Sequence, residues 1–252
     1  MAKKLFIDIE TLPPREEDRN RLNSVMAKIL ARHKAKNSWR DDEDDVSIEV
    51  EDPFRELSLQ GEFGRLLTIG IILEEDGQLI HHGLYGRDPN TKKFHLDEQR
   101  ILKPFWHLVE TLNLRHDIII GHNILDFDLP FILKRSIIHK IKPSVRIPFK
   151  RYQSHPIFDV MWEWSSWRRK VSLNEIALAL NLCSPKAQGI DGSQIYQAWR
   201  DGRDEDIASY CMRDVECTRE IYYRLNFETS PFLTKYEEKI SIEPASDSWL
   251  RD

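Results

Sequence analysis

The stretch Leu5–Thr11, LFIDIET, constrains the chain more than any other, because it sets two carboxylates into an otherwise apolar run. As a strand its side chains alternate. Asp8 and Glu10 then share one face with Phe6, roughly 6.6 Å apart along the strand, while Leu5, Ile7 and Ile9 pack on the other. Two like charges held that close in a low-dielectric setting repel unless a cation or a proton intervenes. A solvated edge strand would tolerate them, but the flank Leu5-Phe6-Ile7 argues for burial. The sharper reading is half of a divalent-metal site, and it requires further carboxylates from elsewhere in the chain.

The rest of the chain supplies a core in which such a site could sit. Its 252 residues, 40% apolar and 31% charged, suit one domain with decorations or two small ones. No run approaches the ~18 apolar residues of a membrane span, so no membrane association is expected. MAKKLFIDIET is not a secretory signal. Cys183, Cys211 and Cys217 are sparse and lack metal-ligand spacing, which fits a reducing cytoplasm and ordinary core use. The net charge is −5, but residues 41–52 (DDEDDVSIEVED) carry eight acids and no base. Without them the sum is −5 + 8 = +3, so a polyanionic partner is not excluded.

Pro13 and Pro14 end the first strand. Leu22, Val25, Met26, Ile29 and Leu30 recur at helical spacing, and the acidic run after them reads as a solvated loop. Residues 15–60 are thus an insertion between the first two strands. Arg65–Glu74 is strand-like, and Asp76-Gly77 turns it into a hairpin with the following QLIHHGLYG. The adjacent His81 and His82 face opposite sides of that strand and make a poor metal pair. Asp97–Leu114 has helical periodicity, with Asp97 as cap and Pro104 as a possible kink.

A short buried strand then runs into Gly121-His122-Asn123. Asp126 and Asp128 follow, and a helix is expected from Leu129 or Pro130. Residues 139–171 interleave lysine and arginine with aromatic residues, a mix suited to phosphate contacts and base stacking, or to a packed patch with a basic rim. Phe158-Asp159-Val160 reads as a short strand. Ser172–Glu175 is a capping box, and a short helix ends near Arg200. From Asp204 a long helix carries Ile207, Tyr210, Cys211, Asp214, Val215, Thr218, Ile221 and Tyr222 on one stripe. Asp214 is an expensive lone charge there, with Tyr210 one turn before it. The last ~25 residues read as a tail.

Acids thus meet apolar structure at Asp8 and Glu10, at Asp126 or Asp128, and at Asp214 beside Tyr210. Jointly, such a set suits two hard divalent cations, Mg²⁺ or Mn²⁺, with oxygen ligands. Such a pair can clamp a phosphodiester.

FIDIET, then GHNxxxFDLP (Gly121, His122, Asn123, Phe127, Asp128), then Tyr210-Cys-Met-Arg-Asp214, resembles the three motifs of the DEDDy 3′–5′ exonucleases. The likeness is to stand-alone bacterial proteins related to the proofreading exonuclease domain of family B DNA polymerases. It spreads over most of residues 1–225 and includes DGSQI at 191–195.

The resemblance implies an α/β, ribonuclease-H-like fold, a five-stranded mixed sheet flanked by helices. It implies Asp8, Glu10, Asp128 and Asp214 as ligands of two Mg²⁺ or Mn²⁺ ions and Tyr210 as the water-orienting group. Thr11, Leu12, Asn123 and Phe127 become the substrate-binding positions, and Asp126 falls outside the ligand set. The expected domain spans residues 1–226, with 227–252 as the tail.

The expected activity is release of nucleoside monophosphates from the 3′ end of a single strand, with DNA the expected nucleic acid. The end would enter between the sheet and the basic-aromatic segment. A 3′–5′ exoribonuclease and a catalytically silent nucleic-acid-binding module are the alternatives. No polymerase domain follows, so proofreading in cis is not expected; a replication or repair partner is compatible with the reading.

Overall fold

A computed structural model describes residues 2–38, 52–182 and 190–231. Most of the acidic run expected at 41–52, the start of the loop after Leu182 and most of the expected tail lie outside the described residues.

Five strands form one mixed sheet in the order β3-β2-β1-β4-β5. They are β1 (Lys3–Leu12), β2 (Arg65–Glu75), β3 (Gln78–Tyr85), β4 (Ile118–Gly121) and β5 (Ile157–Asp159). β1 pairs antiparallel with β2 and parallel with β4, so it is the central strand. The hairpin between β2 and β3 turns at Asp76 and Gly77, both at positive φ, as an Asp-Gly pair favours. β5 is one residue earlier than the expected strand, because Val160 already opens a helix.

Alternation along β1 assigns the two faces. Leu5, Ile7 and Ile9 join a core built with α3 (Gln99–Glu110) and α4 (Asp128–Ile138). Phe6 faces the opposite layer, where it packs with residues of α5 (Val160–Ser165), α6 (Leu173–Ala179) and α8 (Asp204–Leu225). Both faces of the sheet are therefore covered, as expected for strands with continuous apolar runs. The insertion contributes α1 (Asn23–Ser38) and the short α2 (Pro53–Glu56). Leu22, Met26 and Ile29 bury against Phe54 and Leu57, while Leu30 stays exposed. α7 (Ile195–Arg200) closes a third cluster with Leu12 and Tyr210.

α3 runs through Pro104. Its first turn is supported by Asp97, whose carboxylate accepts from the Gln99 N–H at 3.0 Å. The neighbouring Glu98 fixes α4 against the sheet. Its buried carboxylate accepts from the Leu66 N–H at 2.7 Å and from Nε and Nη2 of Arg135 at 2.8 and 2.6 Å. Burial would raise the Glu98 pKa, and the Arg135 pair overrides it, leaving the group below its ordinary value.

Candidate active site

Gly70 sets how closely α8 approaches the sheet. It pairs with Asp8 across the β1–β2 ladder. A Cβ built at Gly70 would lie 2.8 Å from Sγ of Cys211 and 2.9 Å from Cγ2 of Val215. Only a residue without a side chain lets the helix lie this close. The contact lowers Tyr210, Cys211 and Asp214 onto the strand that carries the first two acids. All three are buried. Glu10 is buried as well, and Asp8 is half-buried. Ligand atoms of Asp8, Glu10 and Cys211 all lie within 4.8 Å of one another.

Asp128 enters from the opposite side of β1, as the first residue of α4. Asn123, at φ +57, turns the chain after β4. The Asn123 carbonyl accepts from the N–H groups of Asp126 and Phe127 at 3.2 and 2.9 Å. That turn leaves Asp128 buried, where its own backbone N–H and that of Ile9 offset part of the rise that burial causes. The helix begins one residue before the expected start.

The carboxyls disturb one another strongly. Asp8 lies well above its ordinary pKa through burial first, then through the charges of Asp214, Glu10 and Asp128. Glu10 is raised by burial and then by Asp214 and Asp128. Asp128 is pushed up to about 8, mainly by burial. Tyr210 is also raised, by burial and then by Asp214, Glu10 and Asp8, and its hydroxyl donates a hydrogen bond to Asp214. A Cβ at Gly192 would lie 3.6 Å from that hydroxyl, so the 191–195 segment lies against the tyrosine.

Asp8, Glu10 and Asp128, each raised by burial and by the charge of Asp214, ionise together near neutrality only with a compensating positive charge. Their oxygens are the donors that hard divalent cations prefer. The donor set therefore fits such cations, with the Cys211 thiol a softer neighbour beside Asp8.

The remaining expected site residues fall in varied settings. Asn123 is half-buried, and its Oδ1 is buried with no hydrogen-bond partner among the described residues. Phe127 is half-buried, with its ring 5.7 Å from that of Phe131. Thr11 is buried just beyond a register shift in the β1–β2 ladder. Leu12 is 1% exposed and packs in the Tyr210 cluster, so its backbone is what it can offer a ligand. Asp126 pairs with Arg151, at 2.7 Å. His81 stacks on Tyr85, and His82 lies 3.2 Å from Glu216.

Three participants escaped the sequence reading. Cys211 was assigned to the core and is both core and site. Gly70 could have been flagged, since an isolated glycine inside a strand signals a close approach. Asp159 is the third: its buried carboxylate accepts from the backbone N–H groups of Asn123, Leu125 and Met161 at 2.9, 3.1 and 3.1 Å. It thereby ties the Asn123 turn to the start of α5. His122, inside that turn, is pushed down to about 4 by burial.

Comparison with known proteins agrees with this architecture. A family model described as "Predicted 3'-5' exonuclease related to the exonuclease domain of PolB" matches residues 58–245. The matched stretch contains Asp128, Tyr210 and Asp214 and begins after β1. The structure of the family B DNA polymerase from the hyperthermophilic archaeon Pyrobaculum calidifontis superposes with a TM-score of 0.57 at 14% identity. The alignment covers 90% of this chain and 25% of that polymerase. The likeness establishes the fold, that of a family B polymerase exonuclease domain. No curated protein sequence matches the chain.

Proposed function

The chain belongs to the family of predicted 3′–5′ exonucleases related to the exonuclease domain of PolB, and we propose that it hydrolyses the terminal phosphodiester at the 3′ end of single-stranded nucleic acid, DNA in the first instance. The observation that carries this reading is the close cluster of Asp8 and Glu10 on the central strand, with the charge of Asp214 bearing on Asp8, Glu10, Asp128 and the Tyr210 hydroxyl. Asp8 and Glu10 of β1 lie together, and the charges of Asp214 on α8 and Asp128 on α4 oppose their ionisation. Such an arrangement is expected where a cation completes it.

In this reading Asp8, Glu10, Asp128 and Asp214 hold two Mg²⁺ or Mn²⁺ ions, which when bound acidify water and neutralise charge on the phosphate. Tyr210 stays a neutral phenol, because burial and the acids oppose its ionisation. With its proton donated to Asp214, its oxygen is free to accept a hydrogen bond from a water and so to orient it for attack on phosphorus. Asp214 fixes the rotation of that hydroxyl. The backbone at Thr11 and Leu12, the half-buried Asn123 side chain and the Phe127 ring hold the terminal nucleotide. Residues 1–226 are the catalytic domain, with 15–60 an insertion in it and 227–252 a tail. Two buried free thiols, Cys211 and Cys217, suit a reducing cytoplasm.

The test uses single strands of DNA and of RNA, labelled at the 5′ or the 3′ end, with Mg²⁺, Mn²⁺ or a chelator. Stepwise shortening of 5′-labelled strands in metal alone, abolished in Asp8→Ala and Asp214→Ala, is the expected result. No shortening of any strand by the native chain would remove the reading. Shortening of RNA alone would assign the ribonuclease form of the same chemistry.

A further inference from the structure

Beside the candidate site stands a column of three aromatic rings. The rings of Trp162 and Trp167 are stacked at 5.5 Å and 2°. The Tyr152 ring follows at 4.9 Å from Trp167, tilted by 47°. Tyr152 is 74% exposed, so the column ends at the surface. The backbone that presents it is unusual. Tyr152, Ser166 and Trp167 have φ of +62°, +51° and +61°. Bulky residues rarely enter the left-handed region, and each such placement costs on the order of 1–3 kcal/mol. Ser166 is the left-handed C-cap that ends α5, an ordinary helix stop, so the uncommon placements are those of the two aromatic residues. The Trp162 side chain is buried, and its indole N–H has no acceptor among the described residues.

Backbone and ionic tethers lock the column to the Asn123–Asp128 turn. The Trp162 N–H reaches the same Asp159 carboxylate that accepts from Asn123 and Leu125. Arg151, next to Tyr152, pairs with Asp126, two residues before Asp128. Ser154 donates to Glu163 of α5 at 2.8 Å. The surroundings are cationic: residues 139–171 hold eight lysines and arginines against two acids. Lys150, Arg151, Arg168, Arg169 and Lys170 are all exposed.

We infer that the Tyr152–Trp167–Trp162 column is a stacking platform for bases of a single strand upstream of its 3′ end, flanked by cations that contact its phosphates. This deepens the proposed function and rests on it for the direction of the strand. Stacking is tolerant of base identity, since every base has a π-face. A charged rim adds affinity that falls with salt. Duplex ends, whose bases are already stacked, gain little from such a surface. The platform therefore selects frayed or single-stranded ends over paired ones.

The test measures binding and hydrolysis separately. The full chain is titrated with decathymidylate in chelator, read by quenching of tryptophan fluorescence. Tyr152→Ala is expected to weaken binding about tenfold, within the range for loss of one stacked base, while Tyr152→Phe binds as the native chain does. Arg168→Gln/Arg169→Gln is expected to flatten the dependence of affinity on salt. The p-nitrophenyl ester of thymidine 5′-monophosphate, which has no upstream base, is expected to be hydrolysed equally by the native chain and by Tyr152→Ala.

Equal affinity of Tyr152→Ala and the native chain would overturn the platform, and so would failure of the native chain to bind decathymidylate. Should Tyr152→Ala not fold, an unchanged salt dependence in the arginine double variant has the same force. If binding follows the expectation but the native chain hydrolyses neither probe with Mg²⁺ or Mn²⁺, the catalytic reading falls and the nucleic-acid surface stands.

Discussion

Sγ of Cys211 lies 3.8 Å from Oδ2 of Asp8 and 3.9 Å from the Asp8 carbonyl oxygen. The thiol is a weak donor, and it stays protonated because burial and then the Asp8 charge oppose ionisation. It gauges the position of α8 against β1 one residue after Tyr210. Cys211→Ala should lower stability by about 1 kcal/mol, from a lost contact and a small void. Cleavage should slow several-fold, and Cys211→Ser should restore most of it. Denaturant unfolding and rate measurements on the two variants decide; an alanine variant equal to the native chain in both would make the contact incidental.

Tyr210 tests the assignment of the attacking water. Tyr210→Phe removes the hydrogen bond to Asp214 and the oxygen that would accept from a water, and leaves the ring in its cluster with Leu12 and Ile207. The expected effect is a fall in kcat on the order of 10² with little change in KM. Steady-state rates on a labelled strand measure it. A change confined to KM would move Tyr210 from orienting water to binding the nucleotide.

Stability should depend on pH in an unusual sense. Asp128 is pushed up to about 8, against an ordinary value near 3.9, and Asp8 and Glu10 shift the same way. The folded chain then binds more protons than the unfolded chain, so stability falls as pH rises through the folded value. In chelator the Tm should drop between about pH 6 and pH 8.5, the interval that brackets the Asp128 value. Mg²⁺ or Mn²⁺ should raise the Tm more at pH 8 than at pH 6, since a cation substitutes for the lost protons. Asp128→Asn should raise the Tm in chelator at pH 8 while abolishing cleavage, a trade expected where function keeps like charges together. A Tm in chelator that rises over this interval would contradict the assigned electrostatics.

Gly70→Ala probes the close approach of α8. The added methyl would meet Cys211 and Val215 under 3.0 Å, and neither is the end of a long flexible side chain. Overpacking of this kind costs about 1–3 kcal/mol. Because α8 carries Tyr210 and Asp214, the rate should fall beyond what the lost stability explains. Gly83→Ala is the control, since a Cβ there meets nothing within 4 Å. Comparing the activity of the two variants at a temperature where both are fully folded isolates the effect of helix position.

Much of the architecture was legible because periodicity reports burial. The alternation in LFIDIET foretold which residues of β1 share a face, and the stripe on the last helix foretold its buried side. The joint acid set was suggested by carboxylates set against apolar structure and specified residue by residue by the resemblance, since spacing along the chain says nothing of how α4 and α8 pack. Nothing along the chain marks Cys211 as a neighbour of Asp8, because its distance from β1 is set by how α8 packs. Asp159 was missed for a related reason. A carboxylate that ends a strand and opens a helix is locally an ordinary cap, and its second allegiance, to the Asn123 turn, is a tertiary fact.

That second allegiance gives Asp159 a measurable consequence. Its carboxylate accepts backbone N–H groups from two segments, the turn after β4 and the first turn of α5. Asn in its place keeps the shape but turns an NH₂ group toward donors, leaving buried amides unsatisfied at about 1–3 kcal/mol each. Asp159→Asn should therefore destabilise the fold by a few such units and free the Asn123 turn locally. Hydrogen exchange should speed at the amides of Asn123 and Leu125 more than at β1 or α8. KM for a single strand should rise more than kcat falls, because Asn123 and the aromatic column both hang from this carboxylate. Uniformly faster exchange across the molecule, with KM unchanged, would reduce Asp159 to a general stabiliser of the domain.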